Sequence, residues 1–122
     1  MEFIKKFKSD KDWMERLTMA RGLSNKHHNC IPVIVDRLKK TTPMPLKNKF
    51  LAPKNLTGGE LMSVVRKHIG ELKPEQAIYM FVGNTNTLFP NSMSLIDIYT
   101  QNKEIDDFLY IVYDIESTFG NS

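Results

Sequence analysis

The amino-acid sequence predicts an α+β domain: a four-stranded mixed sheet packed on one long helix, with two extra N-terminal helices covering the other sheet face. Three observations carry this. The first is Phe108 to Tyr113, six consecutive apolar or aromatic residues closed by Asp114, the pattern of a strand buried on both faces. Phe108, Tyr110 and Val112 then point to one side and Leu109, Ile111 and Tyr113 to the other, so each side needs a cover. The second is a helical stripe of Leu61, Val64, Val65, His68 and Ile69, which supplies one cover. The third is an N-terminal segment that reads as two amphipathic helices and supplies the other.

Taken in order, Glu2 to Lys8 places Phe3, Ile4 and Phe7 at helical spacing. Ser9 followed by Asp12 reads as a capping box, after which Trp13, Leu17, Ala20 and Leu23 form the apolar stripe of a second helix. Gly22 and the run Ser24 to Asn29 break that pattern. Ile31-Pro32-Val33-Ile34-Val35 is a β-branched strand, in which the missing amide of Pro32 needs a side with no partner. Lys39 to Leu46, with Pro43 and Pro45, is a loop leading to a second strand, Lys49-Phe50-Leu51-Ala52, stopped by Pro53. Thr57 with Glu60 is a second capping box, opening the long helix that Gly70 ends. Ile78 to Val82 is a third strand with a turn at Gly83-Asn84, and Ser94 with Asp97 is a third capping box before a short helix carrying Leu95, Ile98 and Tyr99. Without its first two helices the chain runs ββαβ, short helix, β, the order of the ubiquitin-like β-grasp. The organisation is a single domain: residues 1–24 are an N-terminal helical part, 30–114 the ubiquitin-like core, and 115–122 a polar tail that nothing anchors.

The totals exclude several classes. A chain of 122 residues buries roughly two-thirds of its unfolded surface without metals or disulfides. Its 41% hydrophobic and 25% charged fractions are those of an ordinary soluble protein. One cysteine, Cys30, forbids an internal disulfide and suits a reducing compartment. No run approaches the roughly 18 apolar residues of a transmembrane helix, and MEFIKKFKSD lacks a signal peptide's apolar segment, so a cytoplasmic form is expected. A net charge of +3 is too small to imply nucleic acid. Lysines 5, 6, 8 and 11, and a second group from Arg37 to Lys54, read as solvated surface or as contacts for an acidic partner or anionic membrane. His27, His28 and Cys30 are too few and too local for a zinc site, with only His68 elsewhere, and no base faces the thiol; no constellation supports an enzyme or a metal.

The stretches Ile31-Pro32-Val33-Ile34-Val35, Lys49-Phe50-Leu51-Ala52-Pro53, Leu56-Thr57, Arg66-Lys67 with Ile69, Phe108-Leu109-Tyr110-Ile111 and the tail Glu116-Ser117 through Phe119-Gly120 resemble, in this order and over nearly the whole chain, the autophagy ubiquitin-like modifiers of the GABARAP and microtubule-associated protein light chain family. The resemblance implies a precursor cut after Gly120 by a cysteine protease, with Phe119 preceding the cut and Asn121-Ser122 discarded. It implies activation of the Gly120 carboxylate by activating and conjugating enzymes and its transfer to phosphatidylethanolamine on autophagosomal or related membranes. A glycine suits that chemistry, since it threads a narrow channel and exposes its carbonyl to a nucleophile. The resemblance also implies recruitment of receptor peptides of the form aromatic-x-x-aliphatic by strand addition. It assigns an aromatic pocket to Leu23, Pro32, Lys49, Leu51 and Phe108, an aliphatic pocket to Phe50, Pro53, Leu56, Leu61, Val64 and Val65, and a basic flank to Lys47 and Arg66. Met19, where GABARAP-like members carry an acidic residue near the aromatic pocket, together with His27 and Cys30, departs from the pattern. The alternative reading is a ubiquitin-like adaptor that is never conjugated and binds peptides, tubulin or membranes.

Overall fold

The computed structural model describes residues 1–83, 85 and 87–116; the expectations placed on Phe119, Gly120, Asn121 and Ser122 lie outside them. The elements run α1 (Glu2–Asp10), α2 (Trp13–Lys26), β1 (Cys30–Arg37), β2 (Lys49–Pro53), α3 (Gly58–Lys67), β3 (Ile78–Val82), α4 (Leu95–Asn102) and β4 (Leu109–Ile115). The sheet order is β2-β1-β4-β3. β1 pairs β4 in parallel and β2 antiparallel, and β3 pairs β4 antiparallel. This is the mixed sheet predicted, with the apolar β4 inside it.

Alternation along β4 divides the core in two. Leu109, Ile111 and Tyr113 face α3, where Leu61 and Val65 are fully buried together with Val33 and Val35. Phe108, Tyr110 and Val112 face the N-terminal helices and pack with Ile4, Phe7, Ala20 and Ile34. Both covers therefore stand where the sequence placed them, but the residues doing the covering differ on one side. α1 contributes Ile4 and Phe7, whereas Trp13, expected in the stripe, is 46% exposed. The inward face of α2 keeps Ala20 and Leu23 of the predicted stripe, with Arg16 and Met19 in place of Trp13 and Leu17. A buried arginine at its centre hid that face from a reading based on apolar spacing.

Caps differ in the same way. Thr57 accepts from the amide of Glu60 at 3.2 Å and the Glu60 carboxylate accepts from the amide of Thr57 at 2.9 Å, a capping box as predicted. For α2 the box is Asp12 with Glu15, not Ser9 with Asp12, because α1 runs on to Asp10 and the new helix starts at Trp13. Ser94 stands at the N-cap of α4 but its side chain makes no capping bond. α3 ends at Lys67 with His68 as its C-cap, two residues before the glycine expected to stop it. Pro32 sits in a central strand. The Val35 amide donates to Asn48 on the β2 side at 2.8 Å, so alternation turns position 32 toward β4, whose pairing begins one residue later at Val33 with Leu109. The missing amide thus falls where no partner has started.

Gly58 opens α3 against the segment ahead of α4. A Cβ there would lie 1.8 Å from the carbonyl oxygen of Pro90, while the Gly58 amide donates to Met93 at 2.9 Å. Neither backbone can yield cheaply. Gly22, in the interior of α2, has nothing within 4 Å of its would-be Cβ. Thermal unfolding should therefore separate the two: Gly58→Ala is expected to destabilise by about 3 kcal/mol, and Gly22→Ala to stabilise by about 0.8 kcal/mol through helix propensity.

Candidate peptide-docking groove

β2 is an outer strand of the sheet. The Val35 amide bonds Asn48 and the Lys54 amide bonds Asn29, both at 2.8 Å, with Val33 opposite Phe50 between them. Period-two alternation then points the backbone groups of residues 48, 50, 52 and 54 at β1 and those of Lys49 and Leu51 outward, where the sheet has no neighbour among the described residues. The open row stops at Pro53, which has no amide to offer. Lys49, exposed on this edge, is the kind of residue that keeps such an edge from pairing with a second copy.

Beside this edge lies a cavity of about 400 Å³. Met19 and Leu23 of α2 form one side, Leu51 of β2 another, and Phe108 closes it from the start of β4, with Val33 and Phe50 also contributing. Lys47 and Lys49 supply its cations. Their ammonium groups lie over aromatic rings, Lys47 at 4.9 Å from the centre of Phe50 and Lys49 at 5.5 Å from that of Phe7, an arrangement in which ring quadrupoles hold the charge.

The structure thus brings four of the five residues assigned to the aromatic pocket, Leu23, Lys49, Leu51 and Phe108, together with Lys47 of the basic flank, around one space. Pro32 is buried in β1 and is not among its lining residues. The residues assigned to the aliphatic pocket divide. Pro53 is exposed and Leu56 and Val64 are half-buried, whereas Leu61 and Val65 belong to the closed core, and Phe50 is buried with its ring against His68 at 5.2 Å. Arg66 turns away to bond the carbonyls of Lys73 and Pro74 at 3.1 and 3.2 Å. Val33 was not assigned to the cavity; Met19, which the resemblance placed near the aromatic pocket, lines it from the same helix face as Leu23, four positions on.

What positions the α2 wall is a polar cluster that apolar patterning does not reveal. The Arg16 Nε donates to Asp106 Oδ2 at 2.7 Å, the Tyr110 hydroxyl donates to the same oxygen at 2.6 Å, and the Phe108 amide donates to Oδ1 at 3.0 Å. A further guanidinium nitrogen of Arg16 donates to the carbonyls of Lys8 and Lys11, the first at 3.1 Å. Burial and the neighbouring carboxylate push the Tyr110 phenol well above its ordinary range. Burial alone would lower the Arg16 pKa, but the Asp106 hydrogen bond and the charges of Tyr110 and Asp106 raise it. Lys8 completes the join, pairing Glu104 at 2.6 Å over the Tyr110 ring at 4.4 Å. At the other end of α1 the Asp36 carboxylate accepts from the Ile4 amide at 3.0 Å, capping a helix whose own N-cap, Met1, has no capping side chain.

The β-grasp order, the covered sheet and the open β2 edge define a ubiquitin-like protein. The family described as Autophagy protein Atg8 ubiquitin like matches residues 15–120. The chain is 35% identical over 122 residues to Autophagy-related protein 8 of Dictyostelium discoideum, covering 99% of this chain and 98% of that one. It is 41% identical over 117 residues to Autophagy-related protein 8A of rice, Oryza sativa subsp. indica, covering 95% and 96%. Among solved structures, Trypanosoma brucei ATG8 superposes with a TM-score of 0.81 at 32% identity over 94% of this chain and 97% of that one. The chain belongs to the Atg8 family of autophagy ubiquitin-like proteins.

Removing the Asp106 carboxylate leaves a buried guanidinium without its charge partner. Asp106→Ala is expected to cost about 3 kcal/mol in chemical denaturation, and amide exchange should rise first in α1 and α2 while α3 stays protected.

Proposed function

We propose that the chain is a conjugated autophagy modifier: cleaved after Gly120, activated there, and joined to the amine of phosphatidylethanolamine on autophagosomal or related membranes, where the β2 edge recruits receptor peptides of the form aromatic-x-x-aliphatic. The observation that carries this reading is an unpaired strand edge beside an apolar cavity, in a chain whose family match extends to residue 120. The receptor peptide adds as a strand on Lys49 and Leu51, its backbone bonding their outward N–H and C=O groups and its aromatic residue entering the cavity. Its aliphatic residue rests on the partly open surface of Pro53, Leu56 and Val64, with Phe50, Leu61 and Val65 as the floor. Lys47, and Arg66 once released from its carbonyls, meet the acidic residues flanking such a motif.

Conjugation is an acyl transfer. The Gly120 carboxyl is adenylated, passes as a thioester along an activating and a conjugating enzyme, and is attacked by the lipid's amine, the thiolate leaving. Among the described residues no helix is long and apolar enough to cross a membrane; two acyl chains on one phospholipid are enough to anchor a protein stably. Further partners on this reading are the processing cysteine protease and the autophagy machinery.

Intact mass of the protein from soluble and membrane fractions tests the covalent part. The expected membrane species ends at Gly120 and carries the mass of phosphatidylethanolamine, and Gly120→Ala should abolish it. A chain retaining Asn121-Ser122 in every fraction would instead identify an unconjugated adaptor. For the groove, Leu51→Ala should weaken an acidic Phe-x-x-Leu peptide about tenfold in calorimetry while changing the Tm little.

A further inference from the structure

The aromatic cavity is unusually poor in acceptors. Its lining residues are Met19, Leu23, Val33, Phe50, Leu51 and Phe108, with Lys47 and Lys49, and the Val33 side chain itself packs into the core on the α3 side. Not one of their side chains carries an oxygen or a ring nitrogen, and a lysine ammonium donates hydrogen bonds without accepting any. The outward carbonyls of Lys49 and Leu51 are the nearby backbone acceptors, and an added strand engages them with its own amides.

From this we infer that Met19 makes the cavity selective for phenylalanine over tryptophan at the aromatic position of an acidic receptor peptide. The inference rests on the strand-addition reading above. Indole Nε1–H is a donor only. Inside this cavity it would face thioether, aliphatic and phenyl surface or the two ammonium groups, so its hydrogen bond to water is lost without replacement. Phenylalanine has no such group and fills the same apolar space. Two effects favour tryptophan, its larger apolar area and its stronger attraction for a cation over the ring. The second is blunted because both ammonium groups already sit over Phe50 and Phe7. An apolar site rejects a ligand that merely adds a donor only modestly, so the discrimination is a small factor rather than an exclusion. The cations at the cavity also set the charge of the occupant: exposed Lys47 and Lys49 complement acidic residues ahead of the ring.

Met19 is the position that decides this. It is half-buried, packs against the cluster beneath α1 and α2, and lines the cavity. Glutamine has nearly the same length and shape and adds one neutral carbonyl acceptor, so Met19→Gln changes hydrogen bonding while hardly altering packing. Met19→Leu keeps the cavity apolar and controls for packing.

The test is calorimetry of the full chain with two synthetic peptides, Asp-Asp-Phe-Ala-Ala-Leu and Asp-Asp-Trp-Ala-Ala-Leu. The wild-type chain should bind the phenylalanine peptide about fivefold tighter. Met19→Gln should erase or reverse that ratio, and Met19→Leu should preserve it. Because the ratio compares ligands on one protein, a general loss of stability does not move it. Equal or tighter binding of the tryptophan peptide by the wild-type chain, or a ratio unchanged in Met19→Gln, would overturn the assignment to Met19. Binding of neither peptide would remove the strand-addition reading and this inference with it.

Discussion

A single buried carboxylate, Asp106, holds the two halves of this molecule in register. It lies in the turn before β4, where the neighbouring Asp107 takes a left-handed φ of 65°, a conformation aspartate tolerates better than most residues. From there it accepts from α2 through Arg16, from β4 through Tyr110, and from its own turn through the Phe108 amide. Such a buried pair is worth little net stability compared with apolar packing, since both charges leave water to form it. Its consequence is geometric. Arg16, Met19 and Leu23 stand three and four positions apart on one face of α2, so fixing the guanidinium fixes the two side chains that wall the cavity. Phe108, its opposite wall, is tied to the same carboxylate by its amide.

The cavity is therefore a property of the junction rather than of the ubiquitin-like core. β2 supplies Leu51 and the open backbone row; β4 supplies Phe108 at its start; α2 supplies the remaining wall. A β-grasp lacking the N-terminal helices would keep the edge but lose that side of the cavity, leaving backbone bonds and no means of telling one side chain from another. The lysines at the edge serve two ends that do not conflict. They discourage a second copy of β2 from pairing there, and on the proposed function they present charge to an acidic peptide that can pair.

Much of this was legible in the sequence because the relevant patterns are local. β4 announces itself as a continuous apolar run, its two faces follow from alternation, and the Thr57-Glu60 box marks the start of α3. What escaped were features in which a polar residue replaces an apolar one through a distant partner. Arg16 faces the core because Asp106 waits 90 residues away, and the face of α2 turns with it, leaving Trp13 outside. α1 has no cap in its own sequence because Asp36, 32 positions on, provides it. The pocket residues were named largely through family resemblance; their convergence needed the sheet order, which brings residues 19, 51 and 108 to one place. Leu61 and Val65 are fully buried, and a residue on the inward face of a helix and a residue beneath a surface pocket look alike in one dimension.

The sheet also separates the two ends of the proposed function. β1 and β4 run parallel, and β4 starts beside the cavity just after Phe108 and leaves at Ile115, paired with Ile78 of β3. At about 3.3 Å per residue, the seven residues of β4 carry the chain roughly 20 Å from the groove before the tail begins. β1 then lies between β4, from which the tail leaves, and the β2 edge. The last described strand thus leaves the sheet at the end away from the cavity. On the proposed function, a sheet with its open edge and its C-terminal exit on different strands is suited to being fixed to a surface through one strand while binding peptide along another.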